Sequence, residues 1–544
     1  MLRPLLAALN LTLTLALAGA PGPAAAAAPG AGPDELLRAR FEGDRTRACV
    51  VAAQVDRQQV RTGRHCARTG TLVDAATGFE IGSVTKTMLA ALVALRLADG
   101  RWSLQDRALR HLPPIEPADP RLATVTVQHL LTHAAGLPAL PPTLKVPDAA
   151  NPYGALTVDE LLASLRGVRL DAEPGTRTQY SNFGMLVLSA MLSHHAGQPF
   201  TKLAEQELLA PLGMAATGPA TATTQGHTPT GQPVPGWTTA PELAGAGFLR
   251  STLNDLVRYA QAHLGGPAPG RAAVPALQQA LAATRQPLAL GHGMAWRTPS
   301  IGGRTVAVHE GATAGFSSVV AIDGEAGRAA VVLADTSLAD LGGLADVALR
   351  LVGLDVPLAR PRREVDPPPE LQRALVGDYE LAGQALRIRL QGTRLTLQGP
   401  VGDAVTLRHD SAGDFFADGL PAVLQARPVD GRIDGFVWRQ GGGVLTAQRR
   451  QAAPGAGPAI ELAADALGRY QLLPGFELRV FRDEGRTRVQ ASGQPALDVH
   501  VTAPDALSAP AVGLVIRFER NAAGEVTGLV LEQGGQKLQG RKQP

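Results

Sequence analysis

The apolar positions at residues 87–98 form a continuous run without proline or glycine, and Asp99 and Gly100 follow it. A glycine directly after an apolar run is a common helix end. We therefore predict a helix from Ser83 to about Ala98. Apolar side chains occupy nearly all of its faces, which indicates a buried central helix. Lys86 falls near the first turn of this helix, and a buried lysine requires a specific role.

Strands are predicted on both sides of this helix. Residues 50–55 and 59–62 read as two strands around a turn near Arg57-Gln58, which predicts an antiparallel hairpin. The register of a two-residue turn places Cys49 opposite Cys66, and this geometry permits a disulfide in an oxidising compartment. Residues 306–322 predict two more strands, joined by a glycine-rich turn.

The C-terminal third of the chain contains an internal repeat. Gly377-Asp378-Tyr379 recurs as Gly468-Arg469-Tyr470, and the segments that follow alternate apolar and polar residues. This pattern predicts two small antiparallel β-barrel modules, which we expect to pack against the preceding part of the chain. Barrels of this kind can bind ligands, but no clustered polar site is evident in the sequence.

The predicted division of the chain follows from these patterns and from its proline-rich stretches. It comprises a signal peptide at 1–27, an N-terminal linker at 28–45, a main domain at 46–356, a proline-rich linker at 357–370, a first β-barrel module at 371–452, a linker at 453–459 and a second β-barrel module at 460–544.

Composition narrows the function classes. The chain has 544 residues, 45% hydrophobic and 18% charged, with a net charge of +3. The charges are dispersed and no stripe of arginine and aromatic residues is present, which argues against nucleic-acid binding. The N-terminus combines Arg3, an apolar stretch and a small-residue zone, which predicts a cleaved signal peptide and a periplasmic or secreted protein. The alternative is an N-terminal anchor helix; no later stretch predicts a membrane span.

Ser83 and Lys86 form the strongest candidate for chemistry. Side chains three residues apart share a helix face, and a buried lysine with a lowered pKa can remove the proton of a serine hydroxyl. Free N–H groups at the helix start suit the anion that forms when a carbonyl is attacked. The alternative is coincidence, although no other lysine in the chain follows a serine at this spacing.

Tyr180 and Asn182, directly before a predicted apolar helix, are the second candidate pair. A tyrosine hydroxyl can transfer a proton when nearby cations lower its pKa, and an asparagine amide can orient a lysine and a carbonyl. A capping asparagine beside a buried tyrosine is the alternative. His129 and His133 have metal-ligand spacing but no further ligand nearby, so a hydrogen-bonded His133 at a helix end is the preferred interpretation.

Four landmarks occur in one order: Ser83-x-x-Lys86, Tyr180-x-Asn182, the loop at 247–255, and His309-x-Gly311. Over residues 46–355 this order resembles the class C branch of the serine β-lactamase and penicillin-binding protein superfamily. The resemblance implies an α/β fold with an antiparallel sheet flanked by helices and an all-helical region. The C-terminal modules resemble lipocalin-like β-modules found in this family.

The same resemblance implies roles for individual residues. Ser83 corresponds to the acylated nucleophile and Lys86 to its proton acceptor. Tyr180 corresponds to the acid/base for the leaving group, and Asn182 to the amide that orients the substrate. The backbone N–H groups of Ser83 and Ala312 correspond to the oxyanion hole.

The chain departs from the family pattern at His309-Glu310-Gly311, where β-lactamases and carboxypeptidases usually carry Lys-Thr-Gly. Histidine is mostly neutral at pH 7, and Glu310 adds an anion if it faces the cleft. These residues favour an esterase or D-amino-acid peptidase over a β-lactamase or D-Ala-D-Ala carboxypeptidase. Neighbouring residues on a strand face opposite sides, so Glu310 pointing away from the cleft remains open.

A non-catalytic cell-wall or penicilloyl-binding protein is the alternative from another class. We expect a small-molecule or peptide substrate, with a cell-wall peptide as one candidate, and no cofactor, metal, nucleic acid or membrane span. The sequence does not indicate an oligomeric state.

Overall fold

The structure is a computed structural model that describes residues 30–68, 70–219, 224–266, 275–429, 432–450, 461–473, 475–483, 486–492, 494, 496–509, 513–533 and 536–543. The predicted signal peptide at 1–27 and the predicted linker at 453–459 lie outside these residues. The chain consists of two compact units, and the boundary lies between Arg450 and Gln451.

Helices of the described residues are confined mainly to the first unit. They are α1 Pro33–Phe41, α2 Thr85–Ala98, α3 Val127–Leu131, α4 Val158–Gly167, α5 Asn182–Ala196, α6 Phe200–Ala204, α7 Ala210–Leu212, α8 Leu253–His263, α9 Pro275–Thr284, α10 Ala345–Leu351 and α11 Pro369–Leu375.

The catalytic part contains one large antiparallel sheet and several short strand pairs. Its strands are β1 Cys49–Asp56, β2 Val60–Cys66, β3 Phe79–Glu80, β4 Gly226–His227, β5 Pro233–Val234, β6 Arg250–Ser251, β7 Ser300–Ile301, β8 Arg304–Thr305, β9 Ala307–Ala312, β10 Ser317–Asp323 and β11 Arg328–Ala334. The large sheet has the order β2-β1-β11-β10-β9, and β3 pairs with β6.

The predicted N-terminal hairpin is confirmed. In β1 and β2, Cys49 pairs with Cys66, and the two residues are joined by a disulfide. The sequence alone was sufficient here because a tight turn fixes the register of both strands.

The large sheet has an apolar layer on each face because successive strand residues point to opposite sides. Val51 and Ala53 of β1 face the layer that contains α2, α5, α8 and α9. Val50 and Ala52 face a second layer that contains α1 and α10. The helix predicted at residues 83–98 lies in the first layer, where α2 follows a 3-10 turn at Gly82–Val84.

The structure differs from the prediction in the segment expected to be an N-terminal linker, residues 28–45. Its described part contains α1, which begins with a proline and has acidic residues in its first turn. Leu36, Leu37 and Phe41 are buried in the second apolar layer. The spacing of these apolar residues is helical and brings one face of α1 onto the sheet.

The first C-terminal module is a closed antiparallel barrel, as predicted. Its strands are β12 Gly377–Leu381, β13 Gln384–Gln391, β14 Arg394–Gln398, β15 Val405–His409, β16 Asp414–Phe416, β17 Val423–Val429, β18 Arg432–Gln440 and β19 Gly443–Arg449. The Tyr379 hydroxyl donates a hydrogen bond to the carbonyl of Leu375, at 2.7 Å. This bond connects β12, the first strand of the barrel, to the end of α11.

This first barrel packs against the catalytic part. Phe416 and Val423 belong to the second apolar layer of the large sheet. Beside them, Arg45 Nε donates to Asp410 Oδ2 at 2.8 Å, and the Arg45 guanidinium lies 3.7 Å from the Phe416 ring centroid. The predicted linker at 357–370 lies along the same barrel, where the Val365 N–H donates to the His409 carbonyl.

The second module is a nine-stranded antiparallel sheet that is nearly closed. Its strands are β20 Gly468–Leu473, β21 Phe476–Asp483, β22 Arg486–Ala491, β23 Leu497–Asp498, β24 His500–Ala503, β25 Ala506–Ala509, β26 Leu514–Arg520, β27 Val526–Gln533 and β28 Gln536–Lys542. The two edge strands, β23 and β24, are separated in the chain by Val499 alone. Tyr470 donates to the carbonyl of Ala466, which repeats the tyrosine contact of the first barrel.

Within the described parts of the chain, no helix combines the length and the apolar character needed to cross a bilayer.

Candidate active site

Ser83 and Lys86 are placed by the segment that connects β3 to α2. Ser83 lies in the 3-10 turn and Lys86 in the first turn of α2, and Lys86 Nζ is 2.8 Å from Ser83 Oγ. Lys86 is 1% exposed and also donates to the carbonyl of Ala246. Burial disfavours the ammonium form and lowers the pKa of Lys86 to about 7. A large share of Lys86 is therefore an uncharged base near neutral pH.

Tyr180 approaches the same serine from the loop before α5. The neighbouring Ser181 caps this helix by accepting a hydrogen bond from the Gly184 N–H. The Tyr180 hydroxyl donates to Ser83 Oγ at 2.7 Å, and Lys86 Nζ lies 5.2 Å from the Tyr180 ring centroid. Contrary to the expectation that cations lower it, the pKa of Tyr180 is raised by burial, so the side chain is a neutral phenol.

Asn182 begins α5 and borders an aromatic wall. Its Nδ2 donates to the Tyr153 hydroxyl at 3.2 Å, whereas its buried Oδ1 has no hydrogen-bond partner among the described residues. The Tyr153 ring centroid lies 5.8 Å from that of Trp237 and 5.1 Å from that of Phe248. No local pattern in the sequence indicates Tyr153 or Trp237, because both reach the site from separate loops.

β9 crosses the start of α2 at two glycines. A Cβ atom on Gly311 would lie 2.1 Å from the Ile81 carbonyl oxygen and 3.0 Å from the Ser83 nitrogen. A Cβ atom on Gly82, whose φ is +46°, would lie 2.8 Å from the Ala312 nitrogen. The two glycines thus bring the backbone nitrogens of Ser83 and Ala312 to the same side of the site. The absence of a side chain at Gly311 therefore lets β9 lie directly against the backbone before Ser83.

His309 and Glu310 lie on opposite faces of β9. His309 shares the face of Gly311, and its Nδ1 is hydrogen-bonded to the Ala295 carbonyl. Burial, together with the positive charge of Lys86, lowers the pKa of His309 to about 3. The ring is therefore neutral at physiological pH, as the sequence analysis expected.

The expectation that Glu310 presents an anion to the cleft is contradicted. Its carboxylate accepts from Arg297 at 2.7 Å and lies beside Gly343, next to α10. Strand alternation directs Glu310 away from Ser83 whenever Gly311 faces it. Burial raises the pKa of Glu310, and the Arg297 guanidinium opposes this shift.

The loop at 247–255 lies beside the strand that leads to Ser83. Thr252 caps α8 by accepting from the Asp255 N–H. Before it, Arg250 forms an ion pair with the buried Glu80 at 2.9 Å, and Glu80 also accepts from the Trp237 N–H. The pair joins the loop of Trp237 to the strand that leads to Ser83. The sequence analysis missed both Glu80 and the Ala246 carbonyl.

His129 and His133 do not form a metal site in the structure. His129 completes a capping box with Thr126 at the start of α3, whereas His133 contacts the Tyr180 segment. No group of three or more potential ligand side chains in the described ranges is arranged to bind a metal ion.

Comparisons with known proteins identify related sequences and folds. A family model described as Beta-lactamase matches residues 34–352. A beta-lactamase of Pseudomonas fluorescens is 32% identical over 214 residues, which are 38% of this chain and 55% of that protein. Esterase EstB of Burkholderia gladioli is 32% identical over 148 residues, which are 25% of this chain and 37% of the esterase.

The chain therefore spans between about a third and just over half of the length of these curated relatives. Among solved structures, a beta-lactamase/D-alanine carboxypeptidase from Pseudomonas syringae superposes with a TM-score of 0.48 and 22% identity. That superposition covers 57% of this chain and 94% of the other.

Proposed function

Because this chain belongs to the beta-lactamase family, we propose that it is a serine hydrolase that acts through an acyl-enzyme on ester, amide or peptide bonds. The family assignment confirms the resemblance and the fold class predicted from the sequence. The names of the relatives include a beta-lactamase and an esterase, which supports a serine hydrolase of this superfamily.

One observation carries the proposal: Ser83 Oγ lies between Lys86 Nζ, at 2.8 Å, and the Tyr180 hydroxyl, at 2.7 Å. Uncharged Lys86 accepts the serine proton while Ser83 Oγ attacks the substrate carbonyl. The amides of Ser83 and Ala312 stabilise the negative oxygen. Tyr180, a neutral phenol, donates a proton to the leaving group and is restored by the proton that Lys86 accepted. Water then hydrolyses the acyl-serine ester, giving one proton back to Ser83 Oγ and releasing the acid.

The proposed substrates are esters, amides or D-amino-acid peptides that lack a carboxylate near the scissile bond. The preference for substrates without this carboxylate depends on His309 alone, since Glu310 lies on the other face of β9. A neutral His309 provides no ionic attraction for a substrate carboxylate where the family usually has lysine. The wall of Tyr153, Trp237 and Phe248 favours a bulky apolar acyl group.

β-Lactam or D-alanyl peptide hydrolysis is the second candidate. The unpartnered Oδ1 of Asn182 favours it, because an acylamino N–H of such a substrate can donate to this buried oxygen. A non-catalytic binding protein is the third alternative, and the same experiment separates all of them.

The test is a pre-steady-state assay with p-nitrophenyl butyrate. We expect a burst of one p-nitrophenol per enzyme, absent in Ser83→Ala and retained in Ser193→Ala. Ser193 is the matched control because its hydroxyl is buried on α5 and bonded to backbone carbonyls. Parallel assays with a D-amino-acid amide and a chromogenic cephalosporin rank the substrate classes. No turnover of any of the three would leave the binding protein as the better description.

We also propose that the protein is exported to the periplasm or secreted. The predicted signal peptide and the Cys49–Cys66 disulfide both favour an oxidising compartment. N-terminal sequencing of the mature protein tests this proposal, with cleavage expected near Ala26 or Ala27.

A further inference from the structure

His133 occupies an unusual backbone position directly after α3. Its φ is +54°, in the left-handed region that non-glycine residues seldom adopt, and it is 3% exposed. Such a conformation persists only where surrounding contacts require it. The contacts of His133 therefore indicate which interactions this backbone conformation makes possible.

Three of those contacts are directed to consecutive residues, Gln179, Tyr180 and Ser181. The Gln179 N–H donates to the His133 carbonyl at 2.8 Å, and the Ser181 N–H donates to His133 Nδ1 at 3.2 Å. Between them, the Tyr180 ring centroid lies 4.4 Å from that of His133, with the planes inclined by 33°. His133 thus fixes the backbone on both sides of Tyr180 and the plane of its ring.

The hydrogen bond from Ser181 also defines the protonation of His133. Because Nδ1 accepts, the neutral ring carries its proton on Nε2. Burial holds the pKa of His133 well below its usual range, and the charge of Lys86 acts in the same direction. The ring therefore supports Tyr180 without adding a cation beside Lys86.

We propose that His133 is a positioning residue that orients the Tyr180 hydroxyl toward Ser83 for proton transfer to the leaving group. The inference rests on the proposed hydrolase function and extends it to a residue that contacts neither substrate nor Ser83.

The variant that tests it is His133→Asn. Asparagine tolerates a positive φ, and its side-chain oxygen can accept from the Ser181 N–H, so the backbone contacts persist while the ring is lost. The matched control is His129→Asn, four residues earlier. His129 is half-buried in the capping box with Thr126.

Acylation rates with acetate esters of p-nitrophenol, phenol and benzyl alcohol provide the first measurement. We expect His133→Asn to lose about tenfold more rate on the benzyl ester than on the p-nitrophenyl ester, because only the poor leaving group needs a proton donor. Tyr180→Phe should give the same pattern, and adding His133→Asn to it should cost nothing further. An equal loss on all three esters, or additive losses in the double variant, would overturn the proposal.

A crystal structure of His133→Asn gives a second measurement that does not depend on activity. We expect the Tyr180 hydroxyl to leave hydrogen-bond distance of Ser83 Oγ, whereas His129→Asn keeps the 2.7 Å contact. An unchanged contact in His133→Asn would refute the positioning role. Ester hydrolysis that survives in Ser83→Ala would instead refute the proposed function, and the crystals would still decide the role of His133.

Discussion

Burial changes the protonation of individual side chains around Ser83. It lowers the pKa of Lys86 to about 7 and that of His309 to about 3, and it raises the pKa of Tyr180. The neutral form is favoured in each case, because a low-dielectric surrounding penalises charge. Lys86 thus becomes a base, His309 an uncharged neighbour and Tyr180 a proton donor.

We expect the kcat/KM of ester hydrolysis to rise as pH increases through about 7, where Lys86 loses its proton. Below that pH Lys86 is an ammonium and cannot accept the Ser83 proton, so activity falls. Lys86→Ala should abolish nearly all activity while the protein stays folded. A pH profile that is flat across this range, or a Lys86→Ala variant with near-parental activity, would contradict the assignment.

His309→Lys should raise cephalosporin turnover relative to ester turnover by about tenfold, which corresponds to only about 1.4 kcal/mol of attraction to the substrate carboxylate. The control is Glu310→Gln, which removes a charge on the opposite face of β9 and should leave the ratio unchanged. Thermal unfolding of both variants verifies that they fold. If Glu310→Gln shifts the ratio as much as His309→Lys, the carboxylate argument fails.

At the scale of elements, the crossing of β9 and the start of α2 determines where the two amides lie. Gly311→Ala should reduce activity about a hundredfold, because the added Cβ would meet the Ile81 carbonyl and displace the strand from Ser83. Gly167→Ala is the matched control, since a Cβ there meets no atom within 4 Å. Rates and melting temperatures of both variants test the prediction, and a fully active Gly311→Ala would disprove it.

Local features of the sequence were sufficient where one element sets the geometry. The Cys49–Cys66 pairing follows from one turn, and the Ser83–Lys86 contact follows from helix spacing. The orientation of β9 does not follow from such local features. Strand alternation places His309 and Glu310 on opposite faces, but it does not specify which of them faces α2. Tyr153 and the Ala246 carbonyl were missed since contacts between distant loops leave no periodic pattern.

At the scale of the whole molecule, one buried charge cluster connects the N-terminal segment, the stretch after the catalytic part and the first barrel. Asp410 accepts from both Arg45 and Arg362, at 2.8 and 3.3 Å, and its side chain is fully buried. The barrel and the catalytic part therefore share ionic contacts as well as the apolar layer that contains Phe416.

Asp410→Asn should lower the free energy of unfolding by about 3 to 5 kcal/mol, because it leaves the buried Arg45 guanidinium without its carboxylate partner. Asp434→Asn breaks an ion pair with Arg427 whose side chains are both about 40% exposed, and should change the free energy of unfolding little because solvent screens the pair. Urea titration of the two variants measures the difference. Equal losses would show that the buried cluster does not couple the parts.

The repeated tyrosine contact has a consequence for the history of the chain. The Tyr379 and Tyr470 hydroxyls each donate a hydrogen bond to the carbonyl four residues earlier. Each module therefore contains its own copy of this contact, as two copies of one ancestral unit would. The first module also contributes Phe416 and Val423 to the second apolar layer of the large sheet. Duplication of one such unit would account for both the sequence repeat and the repeated tyrosine contact.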